Sequence, residues 1–228
     1  MAKILCLETS TKNCSVALCN GENLIALKED GSDQYTHAEK LHVFIEEVLS
    51  QGGIKFSDLD AVAVSEGPGS YTGLRIGVSS AKGMAYALGI KLIAVNTLQA
   101  MANSFLSGEE NSLLIPMIDA RRMEVFCAGF DGKGNPVFPT RAEVLEADSF
   151  PEATAFDKVL YFGDGAEKCI EVLEPKGFEF VDGIEASAKG MVKLAAQKFG
   201  AKDFVDTAYF EPFYLKDFVA GKKKKPVN

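Results

Sequence analysis

Apolar and polar residues alternate along three short stretches at the start of the chain, residues 3–7, 15–19 and 24–28. An alternation with a period of two residues is typical of half-buried strands. The second link between them begins with Asn-Gly, which favours a tight hairpin turn. The pattern therefore predicts an antiparallel meander of three strands.

The same order begins again at residue 113, where LLIPMID ends in Asp119, ARRM turns the chain, EVFCAGF returns and DGKGN makes the next turn. Each copy continues through a helical pattern into another apolar strand, at residues 61–65 and 158–162. A glycine-rich loop and a helix follow each of these strands, and Gly163 and Gly165 lie in the second loop. The repeated order predicts an α/β protein built of two related halves.

The helix before residues 61–65 has the clearest start and stop signals. Thr36 and Glu39 have the spacing of a capping box, and Gly52 and Gly53 are typical of a helix end. Its apolar residues follow the i, i+3, i+4, i+7 spacing and predict one apolar stripe on the helix surface: Leu41, Phe44, Ile45 and Val48.

The next helix follows the loop EGPGSYTG and carries small residues at every fourth position: Gly73, Gly77, Ala81 and Ala85. Such a face permits close approach of another backbone. The residues alone leave two interpretations open, packing against the sheet of the same chain and packing against a partner.

The loop itself has some features of a phosphate site, because glycines before a helix leave backbone N–H groups and the positive end of the helix dipole free. Gly67, Gly69 and Gly73 do not have the spacing of the dinucleotide fingerprint, and Arg75 stands where a Walker loop requires Lys followed by Ser or Thr. The loop alone is a weak indication of a nucleotide.

Charge and cysteine content limit the environment and the partners. The formal net charge is −8 although residues 222–225 are four consecutive lysines, so the rest of the chain is more acidic still. We expect such a surface to repel nucleic acid unless a partner supplies most of the attraction, and we expect the lysine run to be a solvated terminus.

The N-terminus resembles a first strand and no long apolar run follows, which predicts a cytoplasmic protein without a membrane span. Its five cysteines are then expected to be reduced core thiols.

Few residues are candidates for catalysis. His37 and His42 are five residues apart on one helix and diverge around its axis, so they do not form a shared metal site, and His37 is expected to be an exposed polar residue of the first turn. Glu8 and Asp119 each close the first strand of a half. Across a cleft such acids can meet a metal-bound nucleotide, or each can accept N–H groups of its own turn. The candidate residues for a nucleotide or phosphate are Glu8, Thr9, Ser10, Gly67, Gly69, Asp119, Gly163 and Gly165.

Four motifs occur in one order along the chain: LETST, THAEKL, SEGPGSYTGLRIGVSSAKGMA and DARRMEVF. Together they resemble the TsaB family, also called YeaZ-like, which older names place among glycoprotease-like M22 proteins. The resemblance implies an actin-like ATPase fold, related to ribonuclease H, sugar kinases and Hsp70, with two related subdomains. It places the N-terminal subdomain and its partner-binding helices at 1–101 and the C-terminal subdomain at 102–228, with the last helix packing back on the first.

The resemblance also implies a role in making threonylcarbamoyladenosine at position 37 of tRNA. The catalytic relative, TsaD, has a His-x-x-x-His metal motif where this chain has Thr97 and Met101, and neither residue suits such a metal. The resemblance therefore implies a noncatalytic subunit with no metal and no cofactor of its own. Its expected partners are a TsaD-like enzyme, a TsaE-like ATPase, tRNA through the complex, and a second copy of the chain. The expected partner-binding residues are Leu41, Phe44, Ile45, Val48, Gly77, Ala81, Met84 and Ala85.

Three functions from different classes follow from these observations. The first is a scaffold that activates the TsaD-like enzyme; an Ala81→Arg change is expected to break that contact and keep the fold. The second is a metal-dependent peptidase, which the missing histidine pairs argue against. The third is an actin-fold phosphotransferase or ATPase that uses Glu8 or Asp119.

Overall fold

The computed structural model describes residues 1–31, 36–109, 111–146 and 148–216. The first half contains one five-stranded sheet in the order β3-β2-β1-β4-β5. Its elements are β1 (Lys3–Glu8), β2 (Cys14–Asn20), β3 (Asn23–Asp30), α1 (His37–Gly52), a 3₁₀ turn (Phe56–Asp58), β4 (Ala61–Gly67), α2 (Tyr71–Leu88), β5 (Lys91–Asn96) and α3 (Thr97–Ser104).

The second half contains another five-stranded sheet, in the order β10-β9-β6-β7-β8. Its elements are β6 (Ser112–Asp119), β7 (Glu124–Asp131), β8 (Pro136–Val144), a 3₁₀ turn (Pro151–Ala155), β9 (Lys158–Phe162), a 3₁₀ turn (Glu167–Cys169), α4 (Ile170–Leu173), a 3₁₀ turn (Glu174–Lys176), β10 (Glu179–Val181) and α5 (Ala188–Ala201).

The two sheets share one plan. In each, the first three strands form an antiparallel meander: β1 pairs with β2 and β2 with β3, and in the same way β6 pairs with β7 and β7 with β8. On its other side the first strand pairs parallel with a later strand, β4 or β9, which pairs parallel with β5 or β10. The predicted α/β class and the predicted repeat of two related halves are confirmed.

Helices cover both faces of the first sheet. On one face α1 packs on β2 and β3, while α2 packs on β4, β5 and β1. On the opposite face α5, from the last part of the sequence, packs on β1, β2, β3 and β5 and also on α3. Buried residues of α5 such as Met191 and Ala195 share a core with Ile4 and Cys6 of β1. The core of the first half is therefore completed by a helix that begins 92 positions after the end of β5.

The ends of α1 correct one prediction. Gly53 has the left-handed conformation, with φ of 61°, and its N–H donates to the last turn as predicted for a helix end. At the other end Thr36 makes no capping bond to the helix, because its hydroxyl donates to Asp30 Oδ2 at 2.8 Å. The predicted capping box of α1 is therefore wrong. The next helix, α2, does have a side-chain cap, because the Ser70 hydroxyl oxygen accepts the N–H of Gly73 at 3.4 Å.

All five cysteines are buried and free, as predicted for reduced core thiols. Within the described ranges, no helix is both long and apolar enough to cross a bilayer.

The small-residue face of α2 packs inside the chain. A Cβ atom added to Gly73 would lie 2.1 Å from the backbone oxygen of Thr9, and one added to Gly77 would lie 2.2 Å from the Thr9 hydroxyl. Real Cβ atoms do not approach so closely, so both glycines are needed for the first turns of α2 to reach the end of β1. This finding supports the internal interpretation of the pattern at these two positions.

We expect Gly73→Ala to destabilise the chain by about 1–3 kcal/mol, because the added methyl group overpacks a contact with backbone atoms. Gly83 is the matched control: it lies in the same helix, and an added Cβ would meet nothing within 4 Å. Gly83→Ala should stabilise the helix by roughly 0.5–1 kcal/mol. Urea unfolding of the two variants measures both effects, and equal shifts would contradict the packing argument.

Candidate functional site

A cavity of about 850 Å³ lies between the two sheets, where the ends of their central strands meet. The first half contributes the loop after β1 and the loop before α2, and the second half contributes the end of β6 and the loops after β9 and β10. The lining stretches are residues 10–13, 69–72, 118–122, 163–164, 180–185 and 213–216.

Glu8 does not reach this cavity. Its carboxylate is fully buried, where Oε1 accepts the N–H of Ser10 at 2.6 Å and the hydroxyl of Ser65 at 2.8 Å. Burial raises the pKa of Glu8, and the bonds from Ser10 and Ser65 offset part of that rise. Thr9 also points away and donates to the carbonyl of Gly73 at 2.8 Å. Of the two interpretations that the sequence left open for Glu8, a carboxylate facing the cleft is therefore not the one found here.

Asp119 does line the cavity, but its carboxylate is already engaged. Oδ1 accepts the backbone N–H of Arg121 at 3.0 Å and forms a short ion pair with Lys168. Glu8 and Asp119 thus both accept the N–H of the residue two positions later. Of the two interpretations that the sequence left open, the binding of turn N–H groups describes both acids.

Asp164 is a cavity residue that sequence reasoning passed over. Its Oδ1 accepts the N–H of Asp119 at 3.3 Å. Desolvation in the cavity wall raises the pKa of Asp164 to about 6, and the negative charges of Asp119 and Glu185 add to that rise. The sequence placed Asp164 in the predicted glycine-rich loop, directly after Gly163. It did not indicate that Asp119 and Glu185 would lie near the Asp164 carboxylate.

The glycines of the two loops bring backbones into contact. A Cβ atom on Gly69 would lie 2.4 Å from the Ser10 oxygen, and one on Gly163 would lie 2.2 Å from the Met117 oxygen. Gly69 and Gly163 line the cavity; Gly67 and Gly165 do not. These glycines are thus required for packing, and their contact with a phosphate stays a prediction.

The predicted partner stripe faces the sheet of its own chain. Two residues at its margin, Phe44 and Met84, are only half-buried. The other six predicted partner residues are buried: Leu41, Ile45, Val48, Gly77, Ala81 and Ala85. A side chain with no exposed surface cannot touch a partner, so direct contact by these six is corrected to core packing. The Ala81→Arg change would bury a charge and disrupt the fold, which makes it unsuitable as a test of partner binding.

The outward surface of α1 and α2 carries other apolar residues. Val43 is 49% exposed and Tyr86 is 85% exposed. The two helices contact each other, and Ser80 on α2 lies 3.4 Å from the ring of His42 on α1. The sequence contained the signal, since Val43 and Tyr86 are apolar residues that do not belong to the inward stripe.

Arg121 and Arg122 form the turn between β6 and β7 at the rim of the cavity. Both have left-handed backbone conformations, with φ of 71° and 54°. This conformation costs a non-glycine residue roughly 1–2 kcal/mol. Both residues are exposed, and neither guanidinium has a hydrogen bond or an ion pair with another residue in the described part of the chain. The sequence predicted a turn at these residues but not its left-handed backbone conformation.

The last described residues cross from one half to the other beside the cavity. Lys82 on α2 donates to the carbonyls of Ala208 and Phe210 at 3.1 and 2.9 Å. The ring of Tyr214 lies 4.9 Å from that of Tyr71 at the start of α2. Lys216 then forms a short ion pair with Glu124 at the start of β7. Sequence reasoning missed this segment because it has no periodic pattern.

Thr97 and Met101, which stand where the resemblance places two metal ligands, are both fully buried in α3. Met101 packs in a core with Leu114 of β6 and Phe162 of β9. Met101 is therefore part of the contact between α3 and the second sheet.

Comparison with known proteins agrees with this architecture. The family model of TsaD, tRNA N6-adenosine threonylcarbamoyltransferase, matches residues 33–181. The tRNA threonylcarbamoyladenosine biosynthesis protein TsaB of Escherichia coli is 30% identical over 229 residues, which cover 97% of each chain. TsaB of Bacillus subtilis is 31% identical over 188 residues, covering 77% of this chain and 78% of that protein. A crystal structure from Pseudomonas aeruginosa, described as similar to peptidase YeaZ, has a TM-score of 0.80 at 26% identity and covers 95% of this chain and 100% of that chain.

The two halves share one plan and face each other across a cleft, and the YeaZ structures match nearly the whole chain. This architecture is an actin-like ATPase fold of two related subdomains. Within that class, the chain belongs to the TsaB family of tRNA threonylcarbamoyladenosine biosynthesis proteins.

His37 is buried, contrary to the expectation of an exposed residue, and its Nε2 lies 2.8 Å from the carbonyl oxygen of Thr11 in the cavity wall. Burial lowers the pKa of His37 below its ordinary value of 6.5. His37 therefore binds a proton less readily in the folded state than in the unfolded state. The free energy of unfolding is consequently largest above the unfolded pKa of His37, and it falls as the pH drops below that pKa.

We expect the free energy of unfolding to fall between about pH 7.5 and about pH 5.5, with the part due to His37 limited to about 1.4 kcal/mol per pH unit. His37→Gln keeps an N–H donor for Thr11 and does not titrate, so it should lose less stability over this interval. Urea unfolding at both pH values measures the difference. The control is His42→Gln on the exposed side of α1, and equal pH dependence of all three proteins would contradict the role of His37.

Proposed function

We propose that this chain is a noncatalytic scaffold and activating subunit for threonylcarbamoylation of adenosine 37 in tRNA. It pairs with a TsaD-like catalytic subunit and works with a TsaE-like ATPase on tRNA held by the whole complex. Such a complex acts on tRNA, so we place it in the cytoplasm.

One observation carries this proposal: the positions where the catalytic relative holds its metal motif are Thr97 and Met101, and both are buried in the core. A metal ligand needs a donor atom facing an open coordination position. Here Thr97 is buried at the start of α3, and Met101 packs in the core that α3 shares with the second sheet. The chain therefore has the frame of the family while these two residues serve its stability.

The state of the two acids supports the same proposal over the phosphotransferase alternative. Glu8 is buried with its oxygen bonded to Ser10 and Ser65, and Asp119 is paired with Lys168. A phosphotransferase requires carboxylates that face the bound nucleotide, either to hold the metal ion or to act as a base. Reaching that arrangement would require Glu8 to turn out of the core and Asp119 to give up its lysine.

A peptidase activity has less support. The two histidines of the chain are His37, which is buried against Thr11, and His42, which contacts Ser80 on the outer surface. Within the described ranges, no group of three or more histidine, cysteine, aspartate or glutamate side chains is placed to hold a metal ion.

We assign partner binding to the outward surface of α1 and α2, and not to the inward stripe. Val43 and Tyr86 expose apolar atoms there, and the two helices form one surface through the contact of His42 with Ser80. Phe44 and Met84 are half-buried at its margin. The same surface can pair with a second copy of the chain in the absence of the catalytic subunit, which would make the homodimer and the heterodimer mutually exclusive.

Val43→Glu should weaken copurification with the TsaD-like subunit by at least about tenfold, because an unpaired charge buried in an interface costs several kcal/mol. The fold should be unaffected, since Val43 is exposed. The matched control is Val144→Glu, the same change at a valine that is 57% exposed on β8 of the other half. Loss of binding in both variants, or in neither, would contradict the assignment of this surface.

Reconstitution tests the function itself. The chain, the TsaD-like subunit, the ATPase and the threonylcarbamoyl-adenylate donor are purified, and modification of an unmodified tRNA transcript is measured with and without the chain. We expect modification to fall to background when the chain is omitted and to return when it is added back. Equal modification in the two reactions would refute the scaffold proposal.

A further inference from the structure

We infer that residues 205–216, the strap, form a latch across the cleft between the two halves, and that a partner docked on the outward surface of α1 and α2 holds this latch closed. This inference rests on the proposed function and extends it by naming the element that regulates the partner surface.

The strap begins as part of the first half. The N–H of Val205 donates to the carbonyl of Leu92 on β5 at 3.0 Å. Val205 and Phe210 both pack against the core between the first sheet and helices α1 and α2. Between them, Lys82 of α2 holds the strap by donating to the carbonyls of Ala208 and Phe210. These contacts fix the first part of the strap to α2 and to the edge of the first sheet.

The strap then reaches the mouth of the cleft while it is still attached to the first half. The N–H of Phe213 donates to the carbonyl of Glu66 near the end of β4 at 2.7 Å. The two backbones lie close together there, because a Cβ atom on Gly67 would lie 2.6 Å from the carbonyl oxygen of Phe213. The ring of Tyr214 packs on that of Tyr71 at the start of α2. Phe213 and Tyr214 are the last attachments of the described strap to the first half.

The next two residues of the strap are attached to the second half. Leu215 packs against the core of the second sheet. Lys216 forms its ion pair with Glu124 at the start of β7, and its Nζ lies 6.0 Å from the ring centre of Phe126. Consecutive Cα atoms are about 3.8 Å apart, so the chain between Tyr214 and Leu215 has no slack. The strap therefore passes from one half to the other within a single peptide unit.

This crossing limits how far the two halves can separate. Residues 213–216 line the cavity between the sheets. In a hinge motion, two rigid bodies rotate about a few residues, and the contacts that join them elsewhere must break. Opening the cleft therefore requires the strap to release Phe213 and Tyr214 from the first half, or Leu215 and Lys216 from the second.

The cleft end of the strap is held by contacts that a local opening can break. The side chains of Lys216 and Glu124 are 43% and 22% exposed, and an ion pair that solvent reaches contributes little stability. Phe213 and Tyr214 are 41% and 38% exposed. Segments with few buried contacts open at a lower free energy than the core does. The latch can therefore release while both sheets stay folded.

The other end of the strap adjoins the proposed partner surface. Lys82, which holds the strap, lies four residues before Tyr86 and therefore on the same face of α2. Tyr86 is 85% exposed, and so is Tyr209, which follows directly after Ala208 in the strap. Exposed aromatic residues are typical of interface centres. A partner that covers Tyr86 thus meets the strap at Tyr209 and at the Lys82 contacts.

The helix α2 spans the distance between docking and latch. Tyr71 at the cleft and Tyr86 on the partner surface are separated by about 22 Å along the helix axis, at about 1.5 Å per residue. Lys82 and the strap connect these two places. Because coupling between two sites is reciprocal, a partner that favours the closed latch binds less tightly when the latch is weakened.

Hydrogen–deuterium exchange followed by mass spectrometry measures the latch in the full chain, alone and in complex with the TsaD-like subunit. We expect complex formation to slow exchange of the amides at residues 211–216 by at least about fivefold. The amides of β8, at the far edge of the second sheet, are the internal control and should keep their exchange rates.

Lys216→Glu replaces the ion pair with Glu124 by two like charges. It should speed exchange at residues 211–216 of the free chain by roughly 2- to 10-fold, and weaken binding of the TsaD-like subunit by up to the same factor. The matched control is Lys158→Glu, which meets Glu109 and Glu179 in the same half but lies outside the strap. The control should leave strap exchange and partner affinity unchanged.

Spin labels on the two walls of the cavity measure the cleft itself. Thr72→Cys and Glu167→Cys place labels at exposed cavity residues of opposite halves, while the five native cysteines are buried. The distribution of distances between the labels should be narrowest in the complex. It should be broader and shifted to longer distances when Lys216→Glu is added to the free chain.

Lys82→Met separates coupling from direct shielding. Methionine keeps an apolar stem beside Tyr86 and loses both bonds to the strap carbonyls. Affinity for the TsaD-like subunit should stay within about threefold of the unchanged chain, but docking should no longer slow exchange at residues 211–216. A partner that merely shields these amides would protect them equally in both proteins.

Three outcomes would overturn the inference. Unchanged exchange at residues 211–216 on complex formation would show that docking does not reach the latch. Equal protection in the unchanged chain and in Lys82→Met would show direct shielding, and identical behaviour of Lys216→Glu and Lys158→Glu would show that the strap does not hold the cleft. The proposed function fails separately, when tRNA modification does not require the chain; if the chain is required and one of these three results is obtained, only the latch is refuted.

Discussion

The close contact between the start of α2 and the end of β1 is the constraint on which the rest of the structure depends. Ser70 donates its N–H to the Ser10 carbonyl at 2.6 Å, and Thr9 donates to Gly73 at 2.8 Å. Side chains cannot fit at Gly69, Gly73 or Gly77 without pushing these backbones apart. The contact fixes the loops of the first half at the cavity and keeps Glu8 in the core. The shape of the cleft therefore depends on glycine, which has no Cβ atom, at these three positions.

In the second half, three acids at the end of β6, the start of β7 and the loop after β9 are engaged in polar contacts of their own. Asp119 is held by Lys168, Glu124 by Lys216, and Asp164 accepts the N–H of Asp119. In an enzyme such acids would be positioned for a substrate, whereas here they hold turns and segments of the chain together. This arrangement fits the scaffold role proposed above, in which the protein acts by positioning others.

Much of the fold was predictable from the sequence, because strands of period two and helix ends at glycines depend on local chemistry. The repeat of two halves, the strands of both meanders and the end of α1 followed in this way. The capping box failed because Asp30, at the end of β3, binds the Thr36 hydroxyl. His37 and the inward stripe were misplaced because periodicity identifies an apolar face without saying what covers it. Whether a carboxylate such as Glu8 faces a cleft or a core depends on a neighbour, Ser65, that lies 57 positions away.

The position of α5 has a consequence for synthesis of the chain. The sheet formed by residues 3–96 lacks the cover of one face until α5, at Ala188–Ala201, has left the ribosome. Val205 then adds a bridge to Leu92 of β5. Until that moment Ile4, Cys6 and Ile93 lack the cover that α5 supplies on that side, so the first half is exposed to aggregation or to chaperones while the second half is being made. Folding of the first half can therefore begin during synthesis but is completed only after α5 has been made, and a nascent chain halted before residue 188 still lacks the cover of that face.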